Sequence, residues 1–330
     1  MLRWGVLSTA RINRSVVPAI LASAGSELRA VASRDGGRAR AFAEKYGIPR
    51  AFGSYEELLA DAEVDAVYNP LPNHLHAEWT IRALQGGKHV LCEKPLALSV
   101  EEVDAIAAAA AAADRVVAEA FMYRHHPQTL KVRALVESGE IGELRLIRGS
   151  FSFPLTREGD VRLDPSMGGG CLWDVGCYPV SYARFLAGSE PEEAFGWQRL
   201  GPTGVDLDFV GQLRFPGNVV LQFDASFAAP FRTGLEVVGS HGALHVPNSF
   251  KPGPSEELLL SRGDRIERLA VDGPGALYLG EVADFERAVA GAGPSAVSLG
   301  DSRGNVAAIQ ALLASARDGG AISLTAPGPR

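Results

Sequence analysis

The sequence predicts an α/β protein in two parts: a doubly wound parallel sheet over residues 1–121, and an α+β half over 122–330 built on an open, mostly antiparallel sheet. Three observations carry this. Short apolar runs and amphipathic helix patterns alternate over the first 120 or so residues, which is the rhythm of strand–helix–strand units. Later strand-like segments follow one another through Gly and Pro turns with no helices between them, as in antiparallel sheets. A chain of 330 residues, 46% hydrophobic and 22% charged, is long and apolar enough for two domains with cores of their own.

The run at 2–7 reads as a strand, Ser8 to Arg11 as a tight turn, and 13–24 as a helix. A strict dinucleotide fingerprint is Gly-x-Gly-x-x-Gly/Ala. Here only Gly5 and Ala10 match, and Leu7 takes the middle position. The small Ser8, Thr9 and Ala10 still let backbone N–H groups approach a pyrophosphate at the amino end of the next helix, so the opening reads as a nucleotide-binding turn of Rossmann type. A bare structural turn is the plainer alternative. The second strand, 28–33, ends in Ser33-Arg34-Asp35. NAD sites place a carboxylate at this tip for the ribose 2′-hydroxyl, and NADP sites place an arginine for the 2′-phosphate. Arg34, with Arg38 one helical turn on, favours NADP. NAD stays open because Asp35 could serve the ribose, and two arginines on a solvated helix start are common.

Ser54-Tyr55-Glu56-Glu57 is a capping box opening a helix to about residue 62, after which 65–70 reads as strand and 73–85 as helix. His89-Val90-Leu91-Cys92-Glu93-Lys94-Pro95 follows. Its apolar centre suits a buried parallel strand, and Pro95 stops the strand at a charged pair. Glu93 and Lys94 therefore fall at a strand's carboxyl end, the edge of an open α/β sheet where ligands bind, unless they are merely a surface ion pair. A second capping box, Ser99-Val100-Glu101-Glu102, starts an alanine-rich helix, and 116–119 is a further strand.

Beyond Phe121 the pattern changes. An amphipathic helix covers 127–138 and a long alternating strand covers 144–153. Gly168-Gly169-Gly170 opens a helix that carries Asp174 and Tyr178, four apart and hence on one face. Strands are expected at 194–199, 209–215, 219–227, 235–239 and 258–260, and helices at 279–290 and 302–317, the last available to pack back on the first domain.

Lys and Arg total 32 against 39 Asp and Glu, a net charge of −7, so no global basic field recruits nucleic acid or an anionic membrane. Three cysteines without metal-ligand spacing point to a reducing compartment. No signal peptide or spanning segment is visible, which leads us to expect a cytoplasmic enzyme. No metal site is expected, because the histidine pairs lack Cys or acidic partners at zinc spacing.

With these residues assembled, the chain resembles the glucose-fructose oxidoreductase, inositol dehydrogenase and MocA family of NAD(P)-dependent oxidoreductases. Carrying the resemblance are Glu93-Lys94-Pro95, Pro72-Asn73-His74-Leu75-His76, and Gly168-Gly169-Gly170 followed by Asp174-x-Gly176-x-Tyr178, in this order nearly end to end. Trp4-Gly5-Val6-Leu7-Ser8-Thr9-Ala10-Arg11-Ile12, Ser33-Arg34 and Glu119-Ala120-Phe121-Met122-Tyr123-Arg124 look most like the branch of NADP-dependent D-xylose dehydrogenases and dimeric dihydrodiol dehydrogenases, which approaches the sugar-nucleotide 3-ketoreductases. The resemblance implies that Lys94 contacts the nicotinamide ribose and the substrate oxygen, that Tyr178 is the acid/base, and that Asp174 orients substrate or the catalytic pair. It places Asn73 and His76 beside the nicotinamide, with Gly5, Ser8, Thr9, Ala10, Arg11, Ile12, Ser33, Arg34, Arg38, Pro70, Leu71 and Glu93 on the cofactor and Tyr123 and Arg124 on the substrate. Arg162 either reaches cofactor or substrate or pins a loop. Ser8 departs from the glycine many members carry in the pyrophosphate turn.

A phenol with a pKa near ~10 is a poor base at neutral pH, but a neighbouring ammonium favours its phenolate. The expectation is therefore an NADP-dependent oxidoreductase acting on a sugar or polyol, with Lys94 and Tyr178 as proton relay. A sugar 3-ketoreductase and a dihydrodiol dehydrogenase are the enzyme alternatives. A non-catalytic cofactor-sensing regulator is the other class, disfavoured because it needs no relay. A homodimer or homotetramer through the second domain's sheet is expected.

Overall fold

A computed structural model describes residues 1–324; positions 325–330, the end of the expected second domain, lie outside the described residues. The chain forms two compact units, one of Met1–His125 with Tyr278–Arg303, the other of His126–Leu277 with the chain from Gly304 onward.

The first unit alternates β1 (Leu2–Leu7), α1 (Asn13–Ala22), β2 (Ser26–Ala32), α2 (Gly36–Tyr46), β3 (Arg50–Phe52), α3 (Tyr55–Leu59), β4 (Ala66–Asn69), α4 (His76–Gln85), β5 (His89–Glu93), α5 (Val100–Ala113) and β6 (Val117–Ala120). Its strands pair in parallel in the order β3-β2-β1-β4-β5-β6. Helices on the faces of a parallel sheet bury it on both sides, and β4 and β6 are buried at every residue. The order reverses between β1 and β4, so the turns after these strands flank the crevice in which open α/β sheets bind ligands. Local side chains start the helices as the sequence predicts. Ser54 and Ser99 accept from the backbone N–H of Glu57 and Glu102 at 3.2 and 3.1 Å. The expected helix over 73–85 is split, with a tight turn at Asn73–Leu75 preceding α4.

The second unit contains α6 (Pro127–Glu137), β7 (Leu144–Ser152), a π-helical turn at Leu172–Gly176 running into α7 (Cys177–Ala187), then β8 (Glu193–Leu200), β9 (Asp206–Arg214), β10 (Val220–Ser226), β11 (Arg232–Gly239), β12 (Ala243–Val246), β13 (Ser255–Arg262) and β14 (Arg265–Asp272). The chain then continues through α8 (Leu279–Val289), α9 (Leu299–Asp318) and β15 (Ile322–Ser323). The nine-stranded sheet has the order β14-β13-β12-β11-β7-β10-β9-β8-β15. It is antiparallel apart from the β7–β10 pair, the mostly antiparallel sheet the sequence predicts. One face is apolar, with Ile147, Phe151, Leu213, Leu221, Leu235 and Val237 buried.

The segment from Tyr278 returns to the first unit. Val282 and Phe285 of α8 join its core, and the Phe285 ring lies 5.1 Å from that of Trp4. No periodicity in α8 could have announced that destination, because any amphipathic helix can dock on any complementary sheet.

Candidate active site

Gly5 lies within β1, where an added Cβ would sit 2.7 Å from Leu58 Cδ2 and 3.1 Å from Val64 Cγ1. Its missing side chain lets the strand pack closely against these two residues. Ser8 adopts a positive φ of 75°, a conformation natural to glycine, and hydrogen bonds hold it there. Its N–H donates to Ala32 O at 2.8 Å, its carbonyl accepts from Asn13 Nδ2 at 2.9 Å, and its hydroxyl accepts from Ala10 N–H at 3.2 Å. No side chain caps α1, and no acid occupies its first turn. The positive end of the helix dipole therefore meets the Ser8–Ile12 turn, which fits a dinucleotide pyrophosphate.

At the tip of β2, the Ser33 hydroxyl accepts from the Asp35 N–H at 3.2 Å. Asp35 caps α2, accepting from the N–H of Gly37 at 2.8 Å and of Arg38 at 3.1 Å, and these amides hold its carboxyl below the usual range. Arg38 is exposed, with its Nε 3.7 Å from Asp35. Arg34 lies against the buried phenol of Tyr55, whose pKa is pushed up by burial and pulled back by the guanidinium. Arg40, which the sequence reading passed over, adds to Arg38 a second positive charge felt by Asp35.

The loops after β4 and β5 are tied together. His76 is 1% exposed, and its ring nitrogens lie 2.7 Å from Pro95 O and 2.6 Å from Leu71 O. Burial lowers its pKa to about 4, against the two carbonyls that favour protonation. It thus joins the Pro70–Leu71 loop to the loop that follows Lys94. Fully buried Asn69, unnoticed in the sequence, braces the same loop by accepting from Leu71 N–H at 3.3 Å and donating to Thr80 Oγ1 at 3.2 Å. Glu93 accepts from the Tyr68 hydroxyl at 2.6 Å, and Glu119 accepts from Leu96 N–H at 2.9 Å. Lys94 is therefore presented from a turn held on both sides. Asn73 stands on the tight turn ahead of His76.

Tyr123 and Arg124 are buried, and Arg124 Nη1 pairs with Asp301 Oδ2 at 2.9 Å. Another residue without a sequence signal is Glu281 in the first turn of α8. It is 2% exposed, neither carboxylate oxygen has a hydrogen-bond partner, and burial followed by the charge of Glu93 pushes its pKa well up. Burial and then Glu93 push the phenol of Tyr278 up in the same way.

In the second unit, Asp174 sits in the π turn, and Arg162 Nε donates to its Oδ2 at 2.7 Å. Arg162 Nη1 lies 3.3 Å from Asp160 Oδ1, so this arginine bridges two acids, Asp174 being the larger cause of its raised pKa. Tyr178 is the second residue of α7, just beyond the turn. It is 5% exposed and packs edge-on to Phe151, with ring centres 5.2 Å apart. The expected helix that carries Asp174 and Tyr178 is present as the π turn running directly into α7.

Among the described residues no helix is long and apolar enough to cross a membrane, and no group of three or more His, Cys, Asp or Glu side chains is placed to hold a metal. The cysteines Cys92, Cys171 and Cys177 are buried and unbridged.

A six-stranded parallel sheet with this order, a pyrophosphate-fitting turn at its switch point and Glu-Lys-Pro at its carboxyl edge define a nicotinamide-dinucleotide-dependent oxidoreductase. The model of the oxidoreductase family with NAD-binding Rossmann fold matches residues 2–121, and that of the GFO/IDH/MocA C-terminal domain matches 129–245. The chain belongs to the glucose-fructose oxidoreductase, inositol dehydrogenase and MocA family. It is 39% identical to D-xylose 1-dehydrogenase (NADP(+)) 2 of Haloferax volcanii over 97% of this chain and 99% of that protein. It is 38% identical to the dTDP-3,4-didehydro-2,6-dideoxy-alpha-D-glucose 3-reductase of Streptomyces violaceoruber, over 93% and 91%. A 3-ketoreductase from Actinomadura kijaniata, solved in complex with NADP and TDP-benzene, superposes with a TM-score of 0.90 at 31% identity, over 95% of this chain and 97% of that one.

Proposed function

We propose that this oxidoreductase uses NADP to interconvert a hydroxyl and a carbonyl group on a sugar or polyol, as an aldose dehydrogenase of the D-xylose type. The observation that carries the reading is the clamped Glu93-Lys94-Pro95 turn at the end of β5, tied by Tyr68 to Glu93 and by His76 to Pro95. The dinucleotide, when bound, supplies or accepts the hydride. Lys94 holds positive charge at the reacting oxygen and favours the phenolate of Tyr178. Tyr178 takes the hydroxyl proton in oxidation and returns it in reduction. Asp174, steadied by Arg162, orients the substrate. Arg34 and Arg38 receive the 2′-phosphate. Asp35 is engaged by the α2 amides, which supports NADP over NAD.

The test is Lys94→Met and Tyr178→Phe, assayed with a panel of aldoses, polyols and diols while NADP affinity is measured separately. Loss of turnover by about 100-fold or more with unchanged NADP affinity is expected, the scale of removing a positioned acid/base group. Near-normal turnover in Lys94→Met would refute the assignment. The 3-ketoreductase relatives support a second reading, in which a nucleotide-linked keto sugar is reduced; including such sugars in the panel separates the two.

We read the open face of the nine-stranded sheet as an interface between copies of the chain. Trp197 and Val210, directly opposed on β8 and β9, are 59% and 50% exposed. Sedimentation as a monomer would remove this part of the reading.

A further inference from the structure

The helical run that carries Asp174 and Tyr178 has no cap of its own. Cys171, immediately before the π turn, contributes no side-chain cap. The amino end is met instead by Asp206, the first residue of β9 and 4% exposed. Leu172 N–H donates to Asp206 Oδ2 at 2.7 Å. The Cys171 thiol lies 3.1 Å from the same oxygen and 3.3 Å from Ala225 O. Gly170 has a φ of 120°, and a Cβ there would lie 2.1 Å from Asp206 Oδ1, so only glycine lets the carboxylate close on the turn. Gly170 in turn donates its N–H to Arg162 O at 3.0 Å and accepts from Asp174 N–H at 3.2 Å. One buried carboxylate thus touches the turn that holds both Arg162 and Asp174. Burial pushes the Asp206 pKa up, and the Leu172 amide and Cys171 thiol pull against that push.

We propose that Asp206 is a positioning residue: by capping this helix from another strand it fixes the rotation of the π turn, and so the directions in which Asp174 and Tyr178 point. A helix start with no local cap frays unless something distant satisfies its amides. A small rotation at the first turn then displaces every side chain that follows. The catalytic consequence rests on the role proposed for Tyr178; the structural consequence does not.

The two are separated by reading amide hydrogen exchange beside kinetics in Asp206→Ala, Asp206→Asn and Tyr178→Phe. Asp206→Ala is expected to speed exchange over 171–176 while 180–187 keeps its protection. It should lower kcat about tenfold or more at a temperature well below unfolding, with NADP affinity unchanged. Asp206→Asn keeps an acceptor oxygen for Leu172 and should recover most of both. Gly170→Ala, which intrudes on the same carboxylate from the other side, should reproduce the Asp206→Ala signature. Unchanged exchange over 171–176 in Asp206→Ala and Gly170→Ala overturns the proposal, as does a lowered melting temperature with kcat at the wild-type value. Full activity in Tyr178→Phe with altered exchange in Asp206→Ala overturns the role of Tyr178 and leaves the capping role standing.

Discussion

Helices α2, α3 and α5 of the first unit are capped by Asp35, Ser54 and Ser99, each accepting from an amide two or three residues ahead. The helix that carries Asp174 and Tyr178 in the second unit waits for a carboxylate 34 residues further on. The sheets differ in the same sense. The parallel strands β4 and β6 of the first unit are buried on both faces, whereas the second unit's sheet keeps Trp197 and Val210 of one face exposed. Where stabilising partners are neighbours in sequence, structure can be read from pattern. Where they are distant, only the folded chain supplies them.

The contrast can be broken most forcefully at Phe285, because the first unit's core depends on a segment from far along the chain. Phe285→Ala is expected to cost about 3–5 kcal/mol, read as a shift in the urea midpoint, through the cavity left beside Trp4. A loss below about 1 kcal/mol would mean that α8 is peripheral to that core.

Acid should act next. Desolvation lowers the pKa values of buried His76 and partly buried His125 to about 4. Between that value and an unfolded value near ~6.5, the unfolded chain binds protons that the folded chain does not, so stability falls as pH drops through this window and levels off below it. His76→Gln should flatten part of the slope in urea midpoints taken across the window. An unaltered slope would show that His76 does not titrate as a buried group.

Glu281→Gln reverses the sign. A carboxyl whose folded pKa is raised binds protons more tightly in the folded state, so the wild type loses stability as pH rises above its unfolded value near ~4.3. The variant should melt higher than wild type, by more at about pH 8 than at about pH 5. A gain independent of pH would argue that the acid is already satisfied.

The smallest effect is expected at a local cap. Ser99→Ala should cost about 1 kcal/mol by removing the acceptor for Glu102 N–H. A cost several times larger would erase the distinction between local caps and the distant one.

The strand–helix alternation, both capping boxes and the charged pair ahead of Pro95 were legible because each signal spans only a few residues. The three-residue β3 was too short to announce itself, and α8 carried no mark of the unit it joins. His76 lies buried between two backbone carbonyls, a tether seen only once both loops are in place. Asn69, Glu281 and Asp206 were passed over because a polar residue in a strand or helix looks alike whether it is solvated or enclosed.

The amino-acid order alone determined where helices begin, where strands stop and which residue types stand at the carboxyl edge of the parallel sheet, since these follow from backbone preferences and apolar periodicity over a turn or a strand. Tertiary structure decided which charges are engaged and how they are held: Asp35 on the α2 amides, Asp206 on a helix from another part of its unit, and Glu281 enclosed near Glu93. Protonation and orientation depend on burial and on partners brought from elsewhere in the chain, and those exist only after folding.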